Sequence, residues 1–206
     1  MGIDLPASAL ARLAAMLDGC KATWVVGGST GLVLRGAKLD RAPRDLDIYV
    51  DNASVSIVHE RLSSYALDEP VDNQTERYQS ILSHYNIIGT QVELVGDFRV
   101  SAYQSLYTTE VSPFLFPNSD KISVEGYEVP LVPLGHELIF NLLRDRKDRA
   151  EVVGHLIRQA PERHLPILHA LLKRNSISSD IAAEALNLAN NVAQYPSPSS
   201  SNKEPV

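Results

Sequence analysis

Between residues 24 and 50 the chain runs through Trp24-Val25-Val26, a Gly27-Gly28-Ser29-Thr30-Gly31 turn, a short helical stretch, a polar connector and Asp45-Leu46-Asp47-Ile48-Tyr49-Val50. Side chains two apart on a strand share a face, so Asp45 and Asp47 converge while Leu46 and Ile48 enter the core. Two carboxylates on one side repel unless a cation lies between them. The upstream glycines permit positive φ and close backbone approach. A helix starting directly after them aims free N–H groups and its positive dipole end at the turn, beside the Ser29 and Thr30 hydroxyls. These are parts needed to hold a divalent metal and a nucleoside triphosphate. A plain helix start capped by Ser29 has the same local sequence. The turn is not a P-loop, because no Gly-Lys-Ser/Thr follows, and Val26 occupies the first position of a dinucleotide-binding glycine motif.

The 206 residues suffice for one domain, or for one domain with a small helical appendage, and 44% hydrophobic with 21% charged residues is ordinary globular composition. No apolar run approaches the roughly 20 residues of a membrane span, and no signal-like segment opens the sequence. Cys20 is the only cysteine, so no intrachain disulfide forms, and a cytoplasmic location away from membranes is expected. The net charge of −6 argues against a broad nucleic-acid surface. Two basic clusters stand against it: Arg35/Lys38/Arg41/Arg44 and Arg144/Arg146/Lys147/Arg149. Each reads as solvated surface or as contact with one RNA end.

Apolar periodicity predicts helices over 6–17, 29–35 and 54–66 and strands over 23–26 and 47–50. Strands follow over 81–88 and 91–95, joined by Gly89-Thr90, with a hairpin of 122–124 and 127–129 around Glu125-Gly126. Residues 101–120 give no clear pattern. From Pro133 the period turns helical, over 135–143, 152–157, 161–173 and 177–193, and a Pro/Ser-rich tail at 195–206 is expected to be disordered. The order predicts an α/β (α+β) fold: a mixed central sheet flanked by helices, then a C-terminal helical segment, with the boundary near Pro130–Pro133.

A third carboxylate, Glu93, sits in Gln91-Val92-Glu93-Leu94-Val95. It reads either as the polar face of an alternating strand or as the acid completing a two-metal site or taking a proton from an attacking hydroxyl, with Asp97 as the substitute. His136, His155, His164 and His169 have no metal-ligand spacing and read as structural.

Together Gly27-Gly28-Ser29, Asp45-Leu46-Asp47 and Glu93 resemble the nucleotidyltransferase superfamily, the fold shared by DNA polymerase β, CCA-adding enzymes, kanamycin and lincosamide nucleotidyltransferases and minimal nucleotidyltransferases. Residues 132–139 through Arg146-Lys147-Asp148-Arg149 are similar to the C-terminal helical region of bacterial nucleotidyltransferases and abortive-infection-type toxins. The resemblance covers about 22–157. It implies a catalytic domain over 1–132, a helical segment over 133–194 and the tail over 195–206. It implies Asp45, Asp47 and Glu93 as catalytic residues and ligands of Mg²⁺ or Mn²⁺. It implies Gly27, Gly28, Ser29, Thr30, Arg44 and Lys147 as nucleotide ligands, with Arg144 or Arg146 near Lys147. The implied reaction moves an NMP from an NTP to a hydroxyl of an RNA end, a protein or a small molecule, with an antitoxin partner if the chain is a toxin.

Two other D-x-D readings fit less well. Nucleotide-sugar glycosyltransferases have no role for the glycine turn, and haloacid-type phosphatases place Thr or Val where Tyr49 stands. The rival of another class is a non-catalytic nucleotide-binding or regulatory domain of the same fold.

Overall fold

The computed structural model describes residues 6–190; the tail expected over 195–206 and the last residues of the helix expected over 177–193 lie outside the described residues. The elements run α1 (Ala7–Leu17), β1 (Trp24–Gly27), α2 (Gly28–Leu34), β2 (Asp45–Val50), α3 (Asn52–Leu62), β3 (Val71–Gln74), β4 (Tyr78–Ile87), β5 (Thr90–Ala102), β6 (Ser105–Thr108), β7 (Asp120–Val124), β8 (Tyr127–Leu131), α4 (Leu134–Leu143), α5 (Lys147–Gln159), α6 (Pro161–Arg174) and α7 (Ser179–Asn190). Strands β3-β4-β5-β2-β1-β8-β7 form one mixed sheet, with β6 added to β5. β2 runs antiparallel to β1 and parallel to β5, which puts these three strands at the centre.

Turn chemistry explains which strands were legible. Two-residue hairpin loops of the favoured twist need positive φ at both positions. Ile88-Gly89, Tyr103-Gln104 and Glu125-Gly126 all have it, and each closes a register pair: Ile87↔Thr90, Ala102↔Ser105 and Val124↔Tyr127. Two of these loops contain glycine and announce themselves. Tyr103-Gln104 does not, and the β5–β6 hairpin is accordingly absent from the sequence expectations. β5 also runs past Val95, because Asp97 (φ 47°) absorbs a register shift opposite Gln79/Ile81 rather than ending the strand. β3 was not expected; all four of its residues are exposed at the sheet edge, so it carries no apolar alternation. The helix expected over 54–66 is α3 followed by a 3₁₀ turn at Ser63–Tyr65.

The sheet separates two apolar cores. Trp24, Val26, Leu46, Ile48, Val50, Val92 and Leu94 pack with α1 and α3. Val25, Tyr49 and Val95 pack with residues of α4–α7 on the other face. That second core crosses the β8–α4 junction, where the change from strand to helical period was expected. Every residue of α4 is buried, including His136, Glu137 and Asn141. An apolar helix enclosed on all sides is a core helix, and it carries those polar groups inward. No helix among the described residues is long and apolar enough to cross a membrane.

Candidate active site

Register places the acids. Gly27 lies opposite Asp47 across β1–β2, and Asp47 lies opposite Glu93 across β2–β5. Directly paired residues project to one face, with strands about 4.8 Å apart. Glu93 therefore stands beside Asp47, and Asp45 follows two residues away on the same side, opposite Gln91. The Gln91 amide donates to Glu93 Oε1 at 3.2 Å. On the far side of Glu93, His84 is engaged by Asp68 at 2.6 Å. Asp97 follows Gly96, the partner of the last β2 residue Val50. It therefore lies at the other end of the strand pair, in an ion pair with Arg99 at 3.1 Å. It is no substitute for Glu93.

Each glycine of the doublet clears a different neighbour. Gly28 has φ +66°, and a Cβ there would meet Asp47 Oδ2 at 2.0 Å. A Cβ on Gly27 would meet the Tyr49 ring at 2.5 Å and Glu137 Oε1 at 3.0 Å. The first glycine thus admits Tyr49 and Glu137, and the second admits the Asp47 carboxylate. α2 begins at Gly28 itself, with Gly27 as its N-cap and no side-chain cap. Ser29 is consequently the second helical residue and not the cap. Thr30 is buried and donates its hydroxyl to the Asp45 carbonyl at 2.9 Å, fastening the turn to the start of β2.

Glu137 was not anticipated from the sequence. Its Oε1 accepts the Gly28 N–H at 2.7 Å, and its Oε2 accepts from Asn141 Nδ2 at 3.3 Å. An acid four residues before an amide, inside the otherwise apolar run Leu134–Leu143, was the available signal. Beside it, His136 bonds Tyr107 through Nδ1 at 2.8 Å, and its ring stacks on Phe140 at 5.4 Å. Burial pushes His136 down to about 3, so it is neutral.

The site is electrically crowded. Burial, then the charges of Asp45, Glu93 and Glu137, push the Asp47 carboxyl up to about 7. Burial also raises Glu137, against the pull of the Gly28 N–H, Arg35, Arg144 and Asn141. Arg144 acts on Asp47, Tyr49 and Glu137 alike. Its guanidinium lies over the Phe140 ring at 4.8 Å and the Tyr78 ring at 5.8 Å, held at the end of α4. Arg44 is exposed in a separate groove with Pro6, Ala7 and Ile88. Lys147 opens α5 and lines a groove with Tyr103 and Asp145, where it acts on Asp145. Among the cations named for the nucleotide, Arg144 is thus the one whose charge reaches Asp47. Among the described residues, no three His, Cys, Asp or Glu side chains are drawn together tightly enough to hold a metal as they stand.

Comparison with solved structures bears on the fold. A nucleotidyltransferase from Thermotoga maritima aligns with a TM-score of 0.56 at 24% identity, over 74% of this chain and 92% of that one. ANT(2″)-Ia, solved in complex with adenylyl-2″-tobramycin, aligns with a TM-score of 0.50 at 11% identity, over 82% of this chain and 97% of that one. These likenesses establish the fold. No curated protein matches the sequence significantly. The family model of aminoglycoside-2″-adenylyltransferases matches residues 9–151. That span contains the glycine doublet, all three strand acids, Glu137 and Arg144, and the chain therefore belongs to the aminoglycoside-2″-adenylyltransferase family and is a nucleotidyltransferase.

Proposed function

We propose that the chain moves an NMP from an NTP to a hydroxyl of a compact acceptor, using Asp45, Asp47 and Glu93. The observation that carries this reading is the in-register row Gly27–Asp47–Glu93, with room for the Asp47 carboxylate provided by the missing Cβ of Gly28. The donor set fits a divalent cation. Asp45, Asp47 and Glu93 are hard oxygen ligands, and Asp47 is raised to about 7 mainly by burial and neighbouring acids, against the opposing charge of Arg144. Asp45, Asp47 and Glu93 would hold Mg²⁺ or Mn²⁺, which supplies charge neutralisation at the phosphates.

In the proposed step the acceptor oxygen bonds to the α-phosphorus, pyrophosphate leaves, and Glu93 takes the hydroxyl proton. The Ser29 hydroxyl donates to a phosphate oxygen, and Arg144 offsets negative charge on the departing side. Gly27 and Gly28 act by shape. The Gly28 N–H is held by Glu137, so a phosphate at this turn relies on Ser29 and on the remaining N–H groups of α2. Thr30 serves through the Asp45 backbone. Arg44 and Lys147 remain candidate contacts for outlying parts of the nucleotide.

The family match favours a small polyhydroxylated, amine-bearing acceptor, as does the ligand of ANT(2″)-Ia. An acidic groove supports it: Asp145, Asp180 and Glu184 outnumber Lys147 in a cleft of about 470 Å³ bordered by Tyr103. The cleft begins one residue beyond Arg144, and its charge suits a polycation. The antitoxin partner that the toxin resemblance implies has no comparable support.

Incubation with labelled NTPs and, separately, aminoglycosides, tRNA and total protein identifies the acceptor. Label on the aminoglycoside is the expected result. Label on tRNA or protein would replace the acceptor, and saturable NTP binding with no transfer would favour the non-catalytic domain. Glu93→Gln should lower turnover about 10²–10⁴-fold while leaving the nucleotide Kd nearly unchanged. Lost binding with normal turnover at saturation would remove the base role.

A further inference from the structure

The two basic clusters of the sequence, about a hundred residues apart, meet in space. Lys38 and Arg41 of the connector and Arg146 and Arg149 of α5 line one cavity of about 310 Å³, at the lower end of small-ligand sites. We propose that this cleft is an anion site that takes a phosphate group. Three observations support it.

The first is charge. Four cations face two carboxylates, Asp40 and Asp148, so the walls keep a surplus of positive charge in a chain whose net charge is −6. Asp148 engages its two arginines loosely, at 3.6 Å to Arg146 and 3.7 Å to Arg149.

The second is an unmet donor. The Arg149 side chain is only 14% exposed, and its Nη1 is buried with no hydrogen-bond partner among the described residues. A buried guanidinium N–H without an acceptor is costly, and the residue that carries it is itself part of the cleft wall.

The third is contrast within the same clusters. Arg35 is spent on Asp120 at 2.9 Å and on the Val132 carbonyl, and Arg144 lies over two aromatic rings. Lys38 and Arg41 have no such engagement among the described residues and are exposed on the cleft wall.

None of Gly28, Asp45, Asp47 or Glu93 lines the cleft, so the cleft is built from other residues than the strand acids. The phosphate group could belong to the end of a bound nucleotide or to a separate phosphorylated ligand, and the experiment distinguishes them.

Inorganic phosphate and pyrophosphate are titrated by calorimetry into the metal-free protein at constant ionic strength. Saturable binding is expected in the parent and in Asp47→Asn. Lys38→Gln/Arg41→Gln should weaken it tenfold or more, and Asp40→Asn should tighten it. A purely structural role for these surface residues would not produce that gain. Circular dichroism confirms that the variants fold. If ATP competes with pyrophosphate and weakens in the double variant, the nucleotide's own phosphates fill the cleft. If pyrophosphate binds undiminished at saturating ATP, the ligand is separate. Both outcomes support the site. Absence of saturable binding, or equal affinity in parent and double variant, would overturn it. Loss of binding in Asp47→Asn alone would place the anion at the strand acids instead.

Discussion

The strand tips and helix α4 each bring carboxylates to the same glycine turn, and they use them differently. Asp45, Asp47 and Glu93 come from the sheet and are only partly buried. They crowd one another, and among the described residues the donor that reaches them is the Gln91 amide on Glu93. Glu137 comes from α4, is fully enclosed, and has both oxygens engaged, by a backbone N–H and an amide. On the proposed function the first group receives a cation, whereas the second holds a turn. The difference teaches that a satisfied bonding shell, rather than proximity to the site, marks an acid as structural.

The largest expected effect tests the strand side. Asp47→Asn should reduce transfer by at least about 10³-fold, several kcal/mol of transition-state stabilisation. The metal-free protein should lose no melting temperature, because removing the charge relieves the repulsion. Wild-type transfer in this variant would end the assignment.

Next comes the pH dependence of that repulsion. The Asp47 carboxyl titrates near 7 in the folded protein against an ordinary 3.8. The folded state thus retains a proton that the unfolded chain releases, and stability falls as pH rises from about 4 to about 7. Each unit is worth about 1.4 kcal/mol, so the drop is on the order of a few kcal/mol. Mg²⁺ should raise the melting temperature more at pH 8.5 than at pH 6. A thermal profile as flat as that of Asp47→Asn would count against it.

The α4 side predicts a smaller effect of opposite kind. Glu137→Gln keeps an acceptor for the Gly28 N–H and should leave both fold and transfer nearly intact. Glu137→Leu strands that N–H and should cost about 1–3 kcal/mol of stability. If Glu137→Gln loses transfer as fully as Asp47→Asn, the contrast between the two groups fails. The mildest change is Ser29→Ala, for which kcat/KM should fall by about 1–2 kcal/mol if the hydroxyl reaches phosphate. Unchanged kinetics would reduce Ser29 to a helix residue.

The strand acids were legible because spacing alone fixes their face: Asp45 and Asp47 share one side with Tyr49 while Leu46 and Ile48 fill the opposite core. Glu93 was legible through its alternating strand, although its register against Asp47 needed the fold. Glu137 was not, since a glutamate in an apolar helix reads locally as a break in the stripe, and its partner Gly28 is 109 residues away. Arg144 lay in a visible basic cluster, but nothing local distinguished it from Lys147. The Tyr103-Gln104 turn hid β6 because neither residue type signals positive φ.

The glycine row has a last consequence, for insertions and deletions. Asp47 meets both Gly27 and Glu93 by strand register, so adding or removing one residue within β2 would swap its two faces and send the acids into the core. The stretch between α2 and β2 obeys no such parity, and its exposed part around residues 40–42 can change length at less cost than its start, where Arg35 pairs with Asp120 and Ala37 is buried. That stretch also supplies Lys38 and Arg41 to the basic cleft. Length variation among relatives should therefore remodel the cleft while leaving the acids in place, letting one scaffold change what it holds at its margin without disturbing the row at its centre.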